Sequence, residues 1–181
     1  MKQEQKLIRE IVRRGSKQAA DALVRAYYEE IYVYVYRQTG NREDALDLTQ
    51  ECFIAALRSL RTYDPHKAGF RTWLYHVASH KIIDQRRKRQ VEYLPYEEEE
   101  EAAVGEDFTV KVLDREFRER VEAFICGFDP AVQEVFRLRV YGEYRFSEIA
   151  AATGEPEAKI KARYYRLIAK LREEFGDYVG K

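Results

Sequence analysis

The sequence predicts an all-α fold of two small helical domains, on three observations. Apolar residues recur at three- and four-residue spacing through most of the chain. Alternation with period two is confined to one short stretch, IYVYVY. Residues 91–108 interrupt the pattern with Pro95, Gly105 and a run of glutamates. An N-terminal domain is expected at 1–90, a flexible acidic linker at 91–108 and a helix-turn-helix domain at 109–181.

The elements follow in order. MKQEQKLIREIVRRG reads as an amphipathic helix that lacks the apolar centre of a secretion signal. DALVRAYYEEIYVYVYRQTG contains the alternating stretch, whose strand propensity is strong. Its Leu23, Tyr27, Ile31 and Tyr34 nevertheless recur with helical spacing, and Gly40 supplies a stop, so a helix is expected. Asn41 suits an N-cap, with Glu43 and Asp44 favourably placed in the first turn of a helix running to about Arg61. TYDPHKAGF carries the Asp-Pro and Gly signals of a connecting loop. In FRTWLYHVASHKIIDQRRKRQ, Phe70, Trp73, Leu74 and Val77 fall at i, i+3, i+4 and i+7 of a further helix. These four helices can close around a common core.

Beyond them, the glutamates Glu97 to Glu101 repel one another and leave little to bury, which predicts a flexible linker. Helical pattern resumes at about Thr109, continues through Ile125, breaks at Gly127–Pro130 and restarts as AVQEVFRLRVYG. Two more helices are expected around Phe146–Ala152 and Pro156–Phe175.

Of the 181 residues, 45% are apolar and 35% charged, enough for packed cores and far from a membrane protein. No run approaches the roughly 20 apolar residues that span a bilayer, so a cytoplasmic chain without membrane insertion is expected. Cys52 and Cys126 lie in predicted helices among apolar neighbours and are expected as buried thiols, not a disulfide. A formal net charge of zero argues weakly against a nucleic-acid partner, but the distribution is uneven. KIIDQRRKRQ carries five basic residues against one acid, Glu92 to Asp107 eight acids and no base, and Pro156 to Arg172 six basic residues against one acid. Two basic surfaces separated by an acidic strap do not suit an evenly solvated enzyme surface.

RFSEIAAATGEPEAKIKARYYRLIAKL has the mechanics of a helix-turn-helix. Ala150 is small where two helices cross, Gly154 permits the left-handed turn, and Ile160 anchors the second helix. Pro156 suits that helix's first turn. Ile160, Tyr164, Leu167 and Leu171 make its inward stripe, while Lys161, Ala162, Tyr165 and Arg166 share the outward face. Such a face can enter a major groove, where a guanidinium reads base edges and lysines hold phosphates. It also fits an ordinary solvated basic helix.

TGNREDALDLTQECFIAALRSLRTYDP followed by GFRTWLYHVASHKIIDQRRK resembles the second region of sigma-70 family factors. The short two-domain form is like that family's extracytoplasmic-function group. The stretch from Phe128 to Glu174 resembles the family's fourth region, in register through the helix-turn-helix. The resemblance implies a sigma factor that binds core RNA polymerase, melts the −10 promoter region with its N-terminal domain and reads the −35 region with its C-terminal domain. Asp47, Gln50 and Glu51 match the motif that grips a coiled coil on the largest polymerase subunits.

Strand separation calls for aromatic platforms beside a cationic track. The loop and helix from Tyr63 to Arg89 offer Lys67, Phe70, Arg71, Trp73, Tyr75 and the cluster Arg86, Arg87, Lys88 and Arg89. Periodicity puts Phe70 and Trp73 on the apolar stripe, favouring core over platform, so Lys67 and Arg71 are the stronger DNA candidates. His80 stands where family factors often carry asparagine beside upstream promoter bases. Lys159, Lys161, Ala162, Arg163, Tyr165 and Arg166 form the implied −35 set, with Tyr165 and Arg166 favoured for base contact. The family usually has threonine at Lys159, a small hydroxyl at Ala162 and a serine cap at Pro156, so the preferred sequence is not legible.

His76 and His80 are four apart, a spacing that can grip a metal from one helix face. No third ligand is evident in the sequence, and no metal or other cofactor is expected. No nucleophile–base pair or phosphate-cradling glycine loop appears, consistent with a binding protein that is not an enzyme. Core polymerase, promoter DNA and an anti-sigma factor are the partners the resemblance implies. The alternatives are a helix-turn-helix regulator that never docks on polymerase, and a sigma mimic that initiates nothing.

Overall fold

The computed structural model describes residues 2–92 and 108–179, and among them every regular element is helical. The N-terminal half comprises α1 (Lys2–Arg14), α2 (Lys17–Thr39), α3 (Arg42–Ser59), a 3-10 turn (Leu60–Thr62) and α4 (Phe70–Glu92). The C-terminal half comprises α5 (Phe108–Cys126), α6 (Pro130–Val140), α7 (Phe146–Thr153) and α8 (Glu157–Val179). Most of the expected acidic linker lies outside the described residues.

Local chemistry sets the boundaries. Gly15 and Gly40 adopt left-handed φ of 61° and 69°, closing α1 and α2, and Gly40 N–H donates to the Tyr36 carbonyl at 2.9 Å. The Ser16 hydroxyl accepts from Ala19 N–H at 3.2 Å. The Asn41 side chain accepts from Glu43 and Asp44 N–H at 2.8 and 3.1 Å, the cap its residue type predicts. IYVYVY is helical: Ile31, Tyr34 and Val35 are buried, while Val33 and Tyr36 face outward. Strand propensity yields because the buried residues recur on a helical face that α1, α3 and α4 cover.

One apolar core runs through both halves. It joins Leu23, Ile31, Leu48, Cys52, Leu74 and Ala78 to Val135, Leu138, Tyr144, Ile149 and Ile160. A smaller cluster of Ile125, Phe136 and Leu167 lies within the C-terminal half. Helix α4 makes the junction, packing against α6 and α7 as well as α2 and α3. The two regions that the sequence separates therefore lie face to face in this arrangement.

Polar groups are buried at that junction. Arg137, fully buried, donates to Gln38 Oε1 at 2.8 Å and to Glu122 Oε2 at 3.0 Å. Arg86 Nε lies 3.3 Å from Glu122, and its Nη2 donates to the Gln38 carbonyl. Tyr141 Oη donates to Glu122 Oε1 at 2.6 Å. Burial pushes the Glu122 carboxyl upward, but Arg137 and Arg86, with the Tyr141 hydrogen bond, outweigh it and leave the group below its ordinary value. At a second point Arg71 pairs with Glu30 and donates to Tyr144 Oη at 2.8 Å, its guanidinium 4.8 Å from the Tyr75 ring centroid.

Candidate nucleic-acid interface

The helix-turn-helix is built as its spacing predicts. Gly154 takes φ 72° and donates to the Ala150 carbonyl at 2.9 Å, which ends α7 and turns the chain into α8. Pro156 sits one position earlier than expected, at the N-cap, where its carbonyl accepts from Lys159 and Ile160 N–H at 2.9 and 3.2 Å. Ile149, Ile160 and Leu167 are buried and fix α8 against α7 and α6.

On the opposite face of α8, Lys159, Lys161, Ala162, Tyr165 and Arg166 are exposed, Tyr165 to 60%. Lys161 pairs with Glu157 at 2.6 Å, an exposed i, i+4 pair that a phosphate can displace at little cost. Arg163 does not share that face. It is half-buried and bound to Glu155, which Lys159 also contacts at 2.7 Å. Hydrogen bonds from Arg163 and Lys159 hold the Glu155 carboxyl below its usual range. Arg163 thus braces the turn, while Arg166 lies on the exposed face with its Nε donating to the Ala162 carbonyl at 3.1 Å.

The residues singled out on α4 and its preceding loop divide similarly. Lys67 and Arg87 are exposed, the latter paired with Asp84 at 3.0 Å. Phe70 is buried against Tyr27, Tyr63 and Trp73, and Trp73 is half-buried beside Tyr63, with ring centroids 5.5 Å apart. Both are core aromatics in this arrangement, as their periodicity indicates. Arg71 and Arg86 are engaged in the junction between the halves.

Helix α3 turns Leu48, Cys52 and Ala56 inward and leaves Asp47, Gln50 and Glu51 exposed. Burial pushes the Cys52 thiol up to about 12, so it behaves as a small apolar group. Ile54, 49% exposed, extends the Asp47–Gln50–Glu51 face by one turn. It was legible as the i+7 partner of Asp47 but reads as core by residue type.

The fold also unites residues far apart in sequence. His76 and His80 on α4 both meet Glu134 of α6: His76 Nδ1 contacts Oε1, and His80 Nε2 lies 3.5 Å from Oε2. Burial would raise the Glu134 carboxyl, but hydrogen bonds with His76 and His80 reverse this and bring it down to about 2. The bond to Glu134 in turn raises His80 above its ordinary value. Glu134 is the partner the sequence could not supply. Its only signal was a charge amid the apolar run of AVQEVFRLRV.

Among the described residues, no helix is long and apolar enough to cross a membrane. Residues 23–92 match the family model described as Sigma-70 region 2. RNA polymerase sigma factor YlaC of Bacillus subtilis (strain 168) is 30% identical over 161 residues, covering 87% of this chain and 92% of YlaC. ECF RNA polymerase sigma factor SigW of the same organism is 28% identical, covering 92% of this chain and 94% of SigW. ECF RNA polymerase sigma factor SigE of Mycolicibacterium smegmatis is 29% identical across 89% of this chain, which spans 62% of the length of SigE. The structure of CnrH in complex with the cytosolic domain of CnrY shares the fold, with a TM-score of 0.60 and 20% identity over 97% of this chain and 96% of that one. The likeness to YlaC extends through both helical halves, and the chain belongs to the extracytoplasmic-function group of the sigma-70 family of RNA polymerase sigma factors.

Proposed function

We propose that this chain directs promoter-specific initiation in the cytoplasm by docking on core RNA polymerase through the exposed α3 face and engaging DNA with both halves. Asp47, Gln50 and Glu51, extended by Ile54, form the polymerase-facing surface, where acidic groups complement a basic partner around an apolar contact. Lys67 and Arg87 provide a cationic track for the −10 strand beside α4. Lys161, Ala162, Tyr165 and Arg166 provide the −35 reading surface. The observation that carries this reading is the outward placement of those four residues on α8, on a chain whose family relatives are sigma factors.

Reading both elements requires the halves to part. From −35 to −10 is about 25 base pairs, or about 85 Å along a duplex. A compact chain of this length is only about 40 Å across. Residues 93–107 reach about 50 Å when fully extended, which with the widths of the two halves bridges the separation. The packed arrangement is thus a closed form, suited to being held by an anti-sigma partner and released for initiation. CnrH, whose fold this chain shares, was solved with the cytosolic domain of CnrY bound.

Binding of the polymerase-loaded chain to promoter fragments tests the α8 assignment. Arg166→Ala is expected to cost about 1–3 kcal/mol and relax the preference for one −35 base pair. Lys161→Ala is expected to weaken binding evenly across sequences and lower the salt slope by about 1. Unchanged affinity and salt slope in both variants would remove α8 from the DNA.

A further inference from the structure

Two buried carboxylates of the C-terminal half face the N-terminal half, and they are matched in different ways. Glu122 meets the guanidiniums of Arg137 and Arg86, which bring donors and charge but no lone pair. Glu134, 7% exposed, has two imidazoles as its ion-pair partners among the described residues. A neutral imidazole brings a lone pair to such a place instead of a charge. A buried carboxylate and two imidazole lone pairs make a nitrogen and oxygen donor set that a borderline divalent cation satisfies.

The geometry is close to what such an ion needs. His76 and His80 project from successive turns of α4, with ring centroids 4.6 Å apart. One donor atom from each of His76, His80 and Glu134 can be chosen so that all lie within 4.8 Å of one another. Zinc bonds of about 2.0–2.1 Å at tetrahedral angles separate ligand atoms by about 3.3 Å. The 3.5 Å between His80 Nε2 and Glu134 Oε2 already meets that spacing, whereas His76 Nδ1 and Glu134 Oε1 are in direct hydrogen-bond contact, which an ion entering between them has to open. His80 is half-exposed, so a fourth position faces solvent and can take water.

We propose that His76, His80 and Glu134 hold a zinc-class divalent cation that ties α4 to α6 and so fastens the two halves together. The ligands come from both sides of the junction, so parting the halves dismantles the site. The cation therefore stabilises the closed arrangement over the open one. This property is independent of the polymerase-docking and promoter-reading assignments, since it is measured on the isolated full chain.

The test is titration of the chelator-stripped full chain with cobalt(II), followed by zinc. One equivalent of cobalt is expected to give the visible d–d bands of a low-symmetry four-coordinate ion without thiolate charge-transfer bands, and zinc should bleach them. His80→Ala is the decisive variant, because the side chain is half-exposed and its loss leaves the core intact. It should weaken zinc binding by at least about 100-fold, the upper end of what even outer-shell losses cost. Glu134→Gln should do the same, and His66→Ala, an exposed histidine outside the cluster, should bind as the parent does. Zinc should also raise the Tm of the parent chain but not that of His80→Ala. Absence of d–d bands, thiolate bands implicating a cysteine, or parental affinity in His80→Ala would each overturn the proposal.

Discussion

Arg137→Ala is expected to destabilise the folded chain by about 3 kcal/mol, because it strips a fully buried carboxylate of one of its two guanidiniums. The loss also leaves Gln38 Oε1, buried in α2, without the Arg137 donor. Arg86 remains beside Glu122, which places the effect at the lower end of the range for breaking a buried pair. Replacing both members, Arg137→Met with Glu122→Leu, should recover part of the loss: the buried carboxylate is gone and the part-exposed Arg86 keeps its bond to the Gln38 carbonyl, while Tyr141 Oη loses its acceptor. Urea unfolding of the three chains measures this. A change within about 0.5 kcal/mol for Arg137→Ala would contradict the burial described here. The pH dependence has a definite sign. The folded Glu122 carboxyl lies below its unfolded value, so its contribution is complete above the ordinary carboxylate range and is lost as pH falls through the folded value.

The second large effect is on docking. Alanine at Asp47, Gln50 and Glu51 together is expected to lower affinity for core polymerase by at least about 100-fold, or about 1 kcal/mol per residue. Stability should barely change, because all three side chains are exposed on α3 and its core face is untouched. Pull-down with purified core, alongside an unfolding curve, separates docking from folding. Core binding equal to that of the parent would place the interface elsewhere and favour a regulator that binds DNA without polymerase.

The elements were legible because caps and periodicity agree. Asn41, Gly40 and Gly154 mark ends by residue chemistry that needs no tertiary context. The exposed faces of α3 and α8 followed from the same periodicity, and so did the burial of Phe70. What remained illegible is the junction. Arg71, Arg86 and Arg163 read as cations available to DNA, yet each binds a carboxylate, Glu30, Glu122 and Glu155 respectively. Two of those partners lie more than thirty residues away in sequence, where no periodicity connects them. Glu134 and Arg137 carried a weak signal, charges in a helix of 11 residues whose neighbours Val135, Phe136 and Leu138 are all buried. Glu134 and Arg137 are buried with them, and buried charges require partners, but the sequence does not say which. The third ligand for His76 and His80 was hidden for this reason.

Run-off transcription with purified core polymerase on a promoter-bearing library separates an initiating factor from one that only docks. Adding this chain is expected to yield discrete transcripts with defined starts that core alone does not make, and the Asp47, Gln50 and Glu51 triple variant should lose them. Stable binding of the chain to core with no specific transcript from any template would rule out promoter-specific initiation and mark the protein as a sigma mimic.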